Sequence, residues 1–149
     1  MDFIKGLLYI NGVDVYPTYG AILCHDQQNR NTNYSELLKP PKMKTYTSVD
    51  FRELDGEKLP AELLPRVEAR DVTLQFAIVG ESKEDFFAKY DKFLAMLISG
   101  WLEFHLPDLG RTFKMYYKEC SGYKQLTPIS AGRVAAKFTV KFREPEPKI

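Results

Sequence analysis

Apolar residues recur at three- and four-residue steps between Ser82 and Gly100: Phe86, Phe87, Tyr90, Phe93, Leu94, Leu97 and Ile98. That spacing puts them on one stripe of an α-helix over about 82–99. Ser82 is a suitable N-cap, because its hydroxyl can accept from the open amides of the first turn. Glu84 and Asp85 place negative charge at the positive end of the helix dipole, and Asp85 sits four residues before Lys89. Gly100 is expected to supply the left-handed stop. A stripe with this many aromatic rings needs a large apolar partner, and the flanking sequence offers β-sheet.

Strand patterns lie on both sides of the helix. Val72, Leu74, Phe76 and Ile78 alternate with Asp71, Thr73, Gln75 and Ala77, predicting a strand over 70–79 with one apolar face. Leu102, Phe104 and Leu106 predict another over 101–106, and Pro107-Asp108-Leu109-Gly110 a turn. Phe113, Met115 and Tyr117 predict a strand over 113–120, with a loop from Ser121. The alternation from Val134 to Phe142 predicts the closing strand. Near the start, Leu7 to Ile10 reads as a strand. Asn11-Gly12 is the favoured pair for a tight type I′ turn, and Val13 to Tyr16 is the return arm. Pro17 interrupts that pattern, and Tyr19 to Leu23 reads as a further short strand.

Two stretches fall outside this scheme. Residues 24–41 are polar and aperiodic, predicting a long exposed loop with at most one helical turn over Ser35–Leu38 before Pro40-Pro41. Residues 42–66 predict a protruding β-arm: a strand over Met43–Phe51, a turn at Asp55-Gly56 and a short return over Glu57–Leu59. Residues 144–149 predict a proline-broken, mobile tail. Strands, one helix and then more strands make an α+β chain. The expected form is an antiparallel β-sandwich or curled sheet with one flanking α-helix, as a single domain over 1–149.

Composition narrows the functions. With 21 basic and 20 acidic residues the net charge is +1, so no overall field favours nucleic acid or an acidic membrane. Cys24 and Cys120 are too few for a disulfide framework and read as reduced thiols. No apolar run reaches the length of a membrane span. The first ten residues make a poor signal peptide, so export by the usual route is not expected.

Candidate chemistry is sparse. Cys24-His25-Asp26 gathers reactive types, but neighbouring strand residues point apart, whereas a nucleophile and its base must converge. Cys24, His25, His105 and Cys120 lack the paired spacing of a zinc site. Asp50, Glu53, Asp55 and Glu57 crowd a turn without the walled cleft that acid–base catalysis requires. Gly6, Gly12 and Gly20 are too far apart to cradle a phosphate. Lys137, Lys141 and Arg143, joined across the sheet by Lys114, Lys118 and Tyr116, form a basic-aromatic face of the kind that binds single-stranded nucleic acid. No catalytic, cofactor or metal residue is assigned, and the chain is not expected to be an enzyme.

From Arg70 onward the sequence resembles a known family. Arg70–Gly80 reads Arg-Asp-Val-Thr-Leu-Gln-Phe-Ala-Ile-Val-Gly, and Ser82–Leu94 reads Ser-Lys-Glu-Asp-Phe-Phe-Ala-Lys-Tyr-Asp-Lys-Phe-Leu. The run from Gly100 to Lys118 follows, with its proline-bearing turn, and Ala135–Pro145 closes the pattern. Tyr9–Val15 (Tyr-Ile-Asn-Gly-Val-Asp-Val) supplies an apolar strand and Asn-Gly start. Together these resemble the N-terminal domain of phage distal tail proteins, a family related to tail tube proteins. The resemblance implies a β-sandwich with a flanking helix that assembles into rings stacked along a tail channel, with loops and β-arms reaching neighbouring subunits. It implies a structural subunit of a phage or prophage tail, made in the bacterial host cytoplasm and placed in the virion tail. Its partners would be copies of itself and other tail proteins, with no small-molecule substrate and no membrane. Nucleic acid would be met as DNA passing through the channel. The alternative expectation is a monomeric binding module using the basic sheet face for nucleic acid or another anionic ligand.

Overall fold

The computed structural model describes residues 6–24, 32–130 and 132–147. Among these, the strands form one antiparallel seven-stranded sheet, not the two packed layers of a sandwich. Its order is β2 (Val13–Asp14), β1 (Tyr9–Ile10), β5 (Trp101–Leu106), β6 (Arg111–Gln125), β7 (Val134–Glu144), β4 (Arg70–Gly80) and β3 (Ala21–Leu23). The sheet curls around its apolar face.

The inward residues are those that the alternation marks. Val72, Leu74, Phe76 and Ile78 of β4 are fully buried, as are Leu102, Phe104 and Leu106 of β5 and Val134, Ala136, Val140 and Phe142 of β7. β4 and β7 pair without a break from Arg70↔Glu144 to Gly80↔Val134. Phe76 is the hub of this core. It meets Phe93 edge-on at 5.2 Å and stacks on Phe138 at 5.9 Å.

Helix α3 (Lys83–Leu97) fills the curl. The Ser82 hydroxyl accepts from the Asp85 amide at 3.2 Å, and the Asp85 carboxylate accepts from the Glu81 amide at 2.9 Å, a reciprocal cap. Lys89 lies 3.0 Å from the same carboxylate. Phe86, Phe93 and Leu97 are buried, whereas Phe87 is 40% and Ile98 66% exposed. The buried set is therefore narrower than the predicted stripe, because the curl grips one side of the helix. The stop also differs. The Ile98 amide closes the helix on Leu94, and Gly100, at φ 133°, lies outside the left-handed helical region and starts the turn into β5.

Among the described residues there are three helices where the sequence predicts one. Pro17 sits inside α1 (Val15–Tyr19), within the first turn, where a missing amide costs no helical bond. Gly20 ends α1 in the left-handed conformation. Helix α2 (Thr32–Leu38) is longer than the single predicted turn and buries Leu37 and Asn33. The 24–41 segment is therefore not simply an exposed loop, although residues 25–31 of it lie outside the described residues. The predicted loop at Ser121 is strand: β6 runs on to Gln125, with register shifts between Tyr117 and Glu119 and between Cys120 and Gly122. Bulges let a long strand bend with the curl while keeping its partner. The predicted tail begins later than 144, since Glu144 belongs to β7 and is buried, as is Pro147. Asn11 and Gly12 both take positive φ, as the type I′ turn requires. No helix among the described residues is long and apolar enough to cross a membrane.

Candidate assembly surface

An open sheet exposes unpaired backbone at its edges. Here one edge is covered. Beyond the short β3, the Asn33 side chain takes over its pairing with β4: its Oδ1 accepts from the Gln75 amide at 2.7 Å, and its Nδ2 donates to the Cys24 and Gln75 carbonyls at 2.7 and 3.3 Å. Glu36 accepts from the Thr73 amide at 3.3 Å. Helix α2 thus acts as a side-chain substitute for a missing strand. The signal in the sequence is weak, because Asn33 and Glu36 sit in a polar stretch that looks like loop.

Residues 42–66 behave in the opposite way. Two legs run antiparallel, joined by isolated bridges at Met43↔Val67 and Val49↔Lys58 without a regular ladder. The predicted Met43–Phe51 strand is therefore an extended leg and not a sheet member. Every residue from 42 to 66 is exposed except the half-buried Tyr46. Met43, Val49, Phe51, Leu54, Leu59, Leu63 and Leu64 are each between 41% and 66% exposed. An isolated two-stranded ribbon is marginal in water, and large apolar patches on an exposed surface mark interaction sites.

The predicted basic face exists, but its charges are mostly paired. Lys118 and Arg143 both reach the Asp71 carboxylate, at 3.2 and 3.0 Å, and Lys141 lies 3.6 Å from Glu119. Burial pushes the Asp71 pKa up, but the hydrogen bonds from Arg143 and Lys118 outweigh it and hold the carboxyl below its ordinary value. Lys114 stands over the Trp101 ring, 4.7 Å from its centroid. Lys137 lies close enough to Cys24 to affect its ionisation; burial is the larger effect and pushes that thiol up.

The remaining candidates stay apart. His25 and Asp26 lie outside the described residues. His105 is exposed on the outer face, its Nδ1 3.1 Å from the Thr112 hydroxyl, and Cys120 is a free thiol on the bulged part of β6. Asp50, Glu53, Asp55 and Glu57 are exposed at the end of the arm. Among the described residues no group of three His, Cys, Asp or Glu converges on a metal-sized point. A cleft of about 280 Å³ opens between the two ends of the sheet, beside Asp14, Val15, Ala21 and Tyr34. There Asp14 accepts from the Gly6 amide at 2.9 Å, and the Tyr34 hydroxyl donates to Asp108 at 3.1 Å.

No family model matches the sequence, and no curated protein matches it. Among solved structures, the fold is similar to the crystal structure of the SPP1 Dit protein, described as a paradigm of the hub adsorption apparatus in phages that infect Gram-positive bacteria. The TM-score is 0.54 at 11% identity, over 96% of this chain and 53% of that one. The likeness is one of fold, and the chain spans about half the length of the SPP1 protein. The expectation of a tail-protein type of fold holds at that coarse level.

Proposed function

We propose that this chain is a structural subunit of a phage or prophage tail, a distal-tail or tube-like component that self-associates into a ring and contacts other tail proteins. The observation that carries the reading is the arm: residues 42–66 bury almost nothing on their own chain while presenting a run of large apolar side chains. Such a limb gains its burial in an assembly. The shared fold with a phage hub protein supports the same reading. Its place is then the virion tail, with DNA passing through the ring. No catalytic role is assigned to any residue. The competing reading, a monomer that binds nucleic acid on its sheet face, is weakened by Asp71 and Glu119, which already occupy Lys118, Arg143 and Lys141.

Sedimentation velocity and electron microscopy of the purified chain test the proposal. Ring-sized species that grow with concentration are expected, and replacing residues 45–64 by a short Gly-Ser link should abolish them while leaving the melting temperature unchanged. A chain that stays monomeric at every concentration and shows no rings would overturn it.

A further inference from the structure

The cleft between the two ends of the sheet combines apolar walls with negative charge that the described residues leave unmatched. β2 and β3 are the two edge strands and α1 joins them directly, so Asp14, Val15 and Ala21 come to line one cleft of about 280 Å³. Leu8, Val15 and Ala21 are buried and give it an apolar wall. Tyr34 of α2 and Asp108 of the β5–β6 turn complete the polar part. Among the described residues no Lys, Arg or His lines it.

The polar groups are mostly acceptors. Asp14 stands at the N-cap position of α1 but makes no side-chain cap bond. Its Oδ2 accepts from the Gly6 amide at 2.9 Å, and its Oδ1 is closed to water with no hydrogen-bond partner. A buried carboxylate oxygen left in that state is costly. The Tyr34 hydroxyl already donates to Asp108; burial, and then Asp108 itself, pushes the phenol pKa up and keeps that proton in place. The Asn33 amide is committed to the Cys24 and Gln75 carbonyls. Among the described residues neither Asp14 nor Asp108 makes an ion pair. An anion would meet two carboxylates here, with the Tyr16 hydroxyl as the uncommitted side-chain donor. A hard dication such as calcium would lack the six to eight oxygens it takes.

We propose that this cleft is a binding site for an organic cation with an aliphatic stem, an alkylammonium or alkylguanidinium, the stem lying on Leu8, Val15 and Ala21 and the cation facing Asp14 and Asp108. Such a ligand uses both parts of the lining at once, as the long basic side chains do wherever their stems cover apolar surface. The volume lies just under the roughly 300–1,000 Å³ of ordinary small-molecule pockets, which suits a group the size of one lysine or arginine side chain. A seated cation also offsets the unmatched Asp14 carboxylate, and that attraction is stronger in a water-poor wall than in solvent. The same chemistry is offered by a free amine and by a basic side chain of another protein.

Amide NMR of the full chain tests this, with n-butylammonium, n-butanol and plain ammonium as probes. The Gly6 amide, bonded to Asp14, is the reporter. Saturable shifts at Gly6, Ala21 and Tyr34 are expected with n-butylammonium. Its affinity should exceed that of n-butanol by about tenfold or more, and ammonium, which lacks the stem, should bind more weakly than either. Asp14→Asn keeps an acceptor for Gly6 and removes the charge, so n-butylammonium should lose about tenfold while n-butanol is unaffected. Asp108→Asn, at an exposed rim position, should lower n-butylammonium affinity by a smaller factor and keeps the test open if the Asp14 variant does not fold. A capped Gly-Lys-Gly peptide that binds at least as tightly as n-butylammonium identifies the cation as a side chain of a protein partner; a peptide that is shut out identifies a free amine. Both results support the site. Equal affinity for n-butanol and n-butylammonium overturns the proposal, as does n-butylammonium affinity unchanged in both variants or the absence of any saturable shift at the cleft.

Discussion

Arg70 and Glu144 face each other at the paired ends of β4 and β7, the Arg70 Nε donating to a Glu144 carboxylate oxygen at 2.6 Å. The same guanidinium donates to the carbonyls of Leu37 at 2.8 Å, Glu36 at 3.4 Å and, closest of all, Lys39. Those carbonyls end α2 and lead into the arm. One arginine thus joins the sheet, the helix over its edge and the root of the limb. Glu144 is buried, so removal of Arg70 leaves a carboxylate and several carbonyls without a donor. Arg70→Ala is expected to cost about 3–5 kcal/mol in chemical denaturation. Arg70→Lys should not recover the loss, because an ammonium lacks the planar fork. A loss under about 1 kcal/mol would mean that the clasp is not a structural element.

Two phenylalanines on α3 should behave differently. Phe93 is fully buried between Phe76 and Tyr19, at 5.2 and 5.6 Å. Phe93→Ala should cost about 3–5 kcal/mol. Phe87 is 40% exposed with its ring edge-on to Phe86 at 5.4 Å, and Phe87→Ala should cost about 1 kcal/mol, well below the Phe93 loss. Equal losses would show that the helix sits differently on the sheet.

Gly80 marks the closest approach of sheet and helix. A Cβ there would lie 2.5 Å from both the Phe86 Cα and its amide nitrogen, backbone atoms that cannot step aside. Gly80→Ala should destabilise by about 1–3 kcal/mol, as overpacking does. Gly122→Ala meets nothing within 4 Å and serves as the control, with no measurable loss expected.

The depressed Asp71 pKa gives a pH dependence with a defined sign. Its carboxylate stabilises the fold in full above the unfolded-state value of about 3.9. That contribution fades as pH falls from there through the lowered folded-state value. Asp71→Asn should therefore lower the melting temperature near neutrality and flatten this part of the acid transition. An unchanged acid slope in the variant would place the effect on other carboxylates.

Much of the core was legible in the residue pattern. Strict alternation in β4, β5 and β7 is a local consequence of one buried face, so Val72, Phe104 and Phe142 could be assigned inward without knowing their neighbours. The Ser82 cap and the Asn11-Gly12 turn are likewise local: each depends on the conformation of two or three successive residues. What could not be read depended on contacts between distant segments. Leu37 and Asn33 look like loop until β4 presents an uncovered edge, and Pro17 looks like a breaker until its place in a first turn is known. β6 continues past Ser121 because β7 holds it there, whatever its own propensity.

The candidate surface divides in the same way. Its composition, apolar with balanced charges over residues 42–66 and basic-aromatic on the sheet, belongs to the chain itself. That the limb stands free while Asp71 and Glu119 occupy the cations was decided by tertiary structure, since charge pairing and burial depend on which strands meet. Periodicity determined the inward face of each strand and of α3. The curl determined which ring on α3 stays wet, which edge is covered and which limb is left to find a partner, because burial belongs to the assembled layers and not to any one segment.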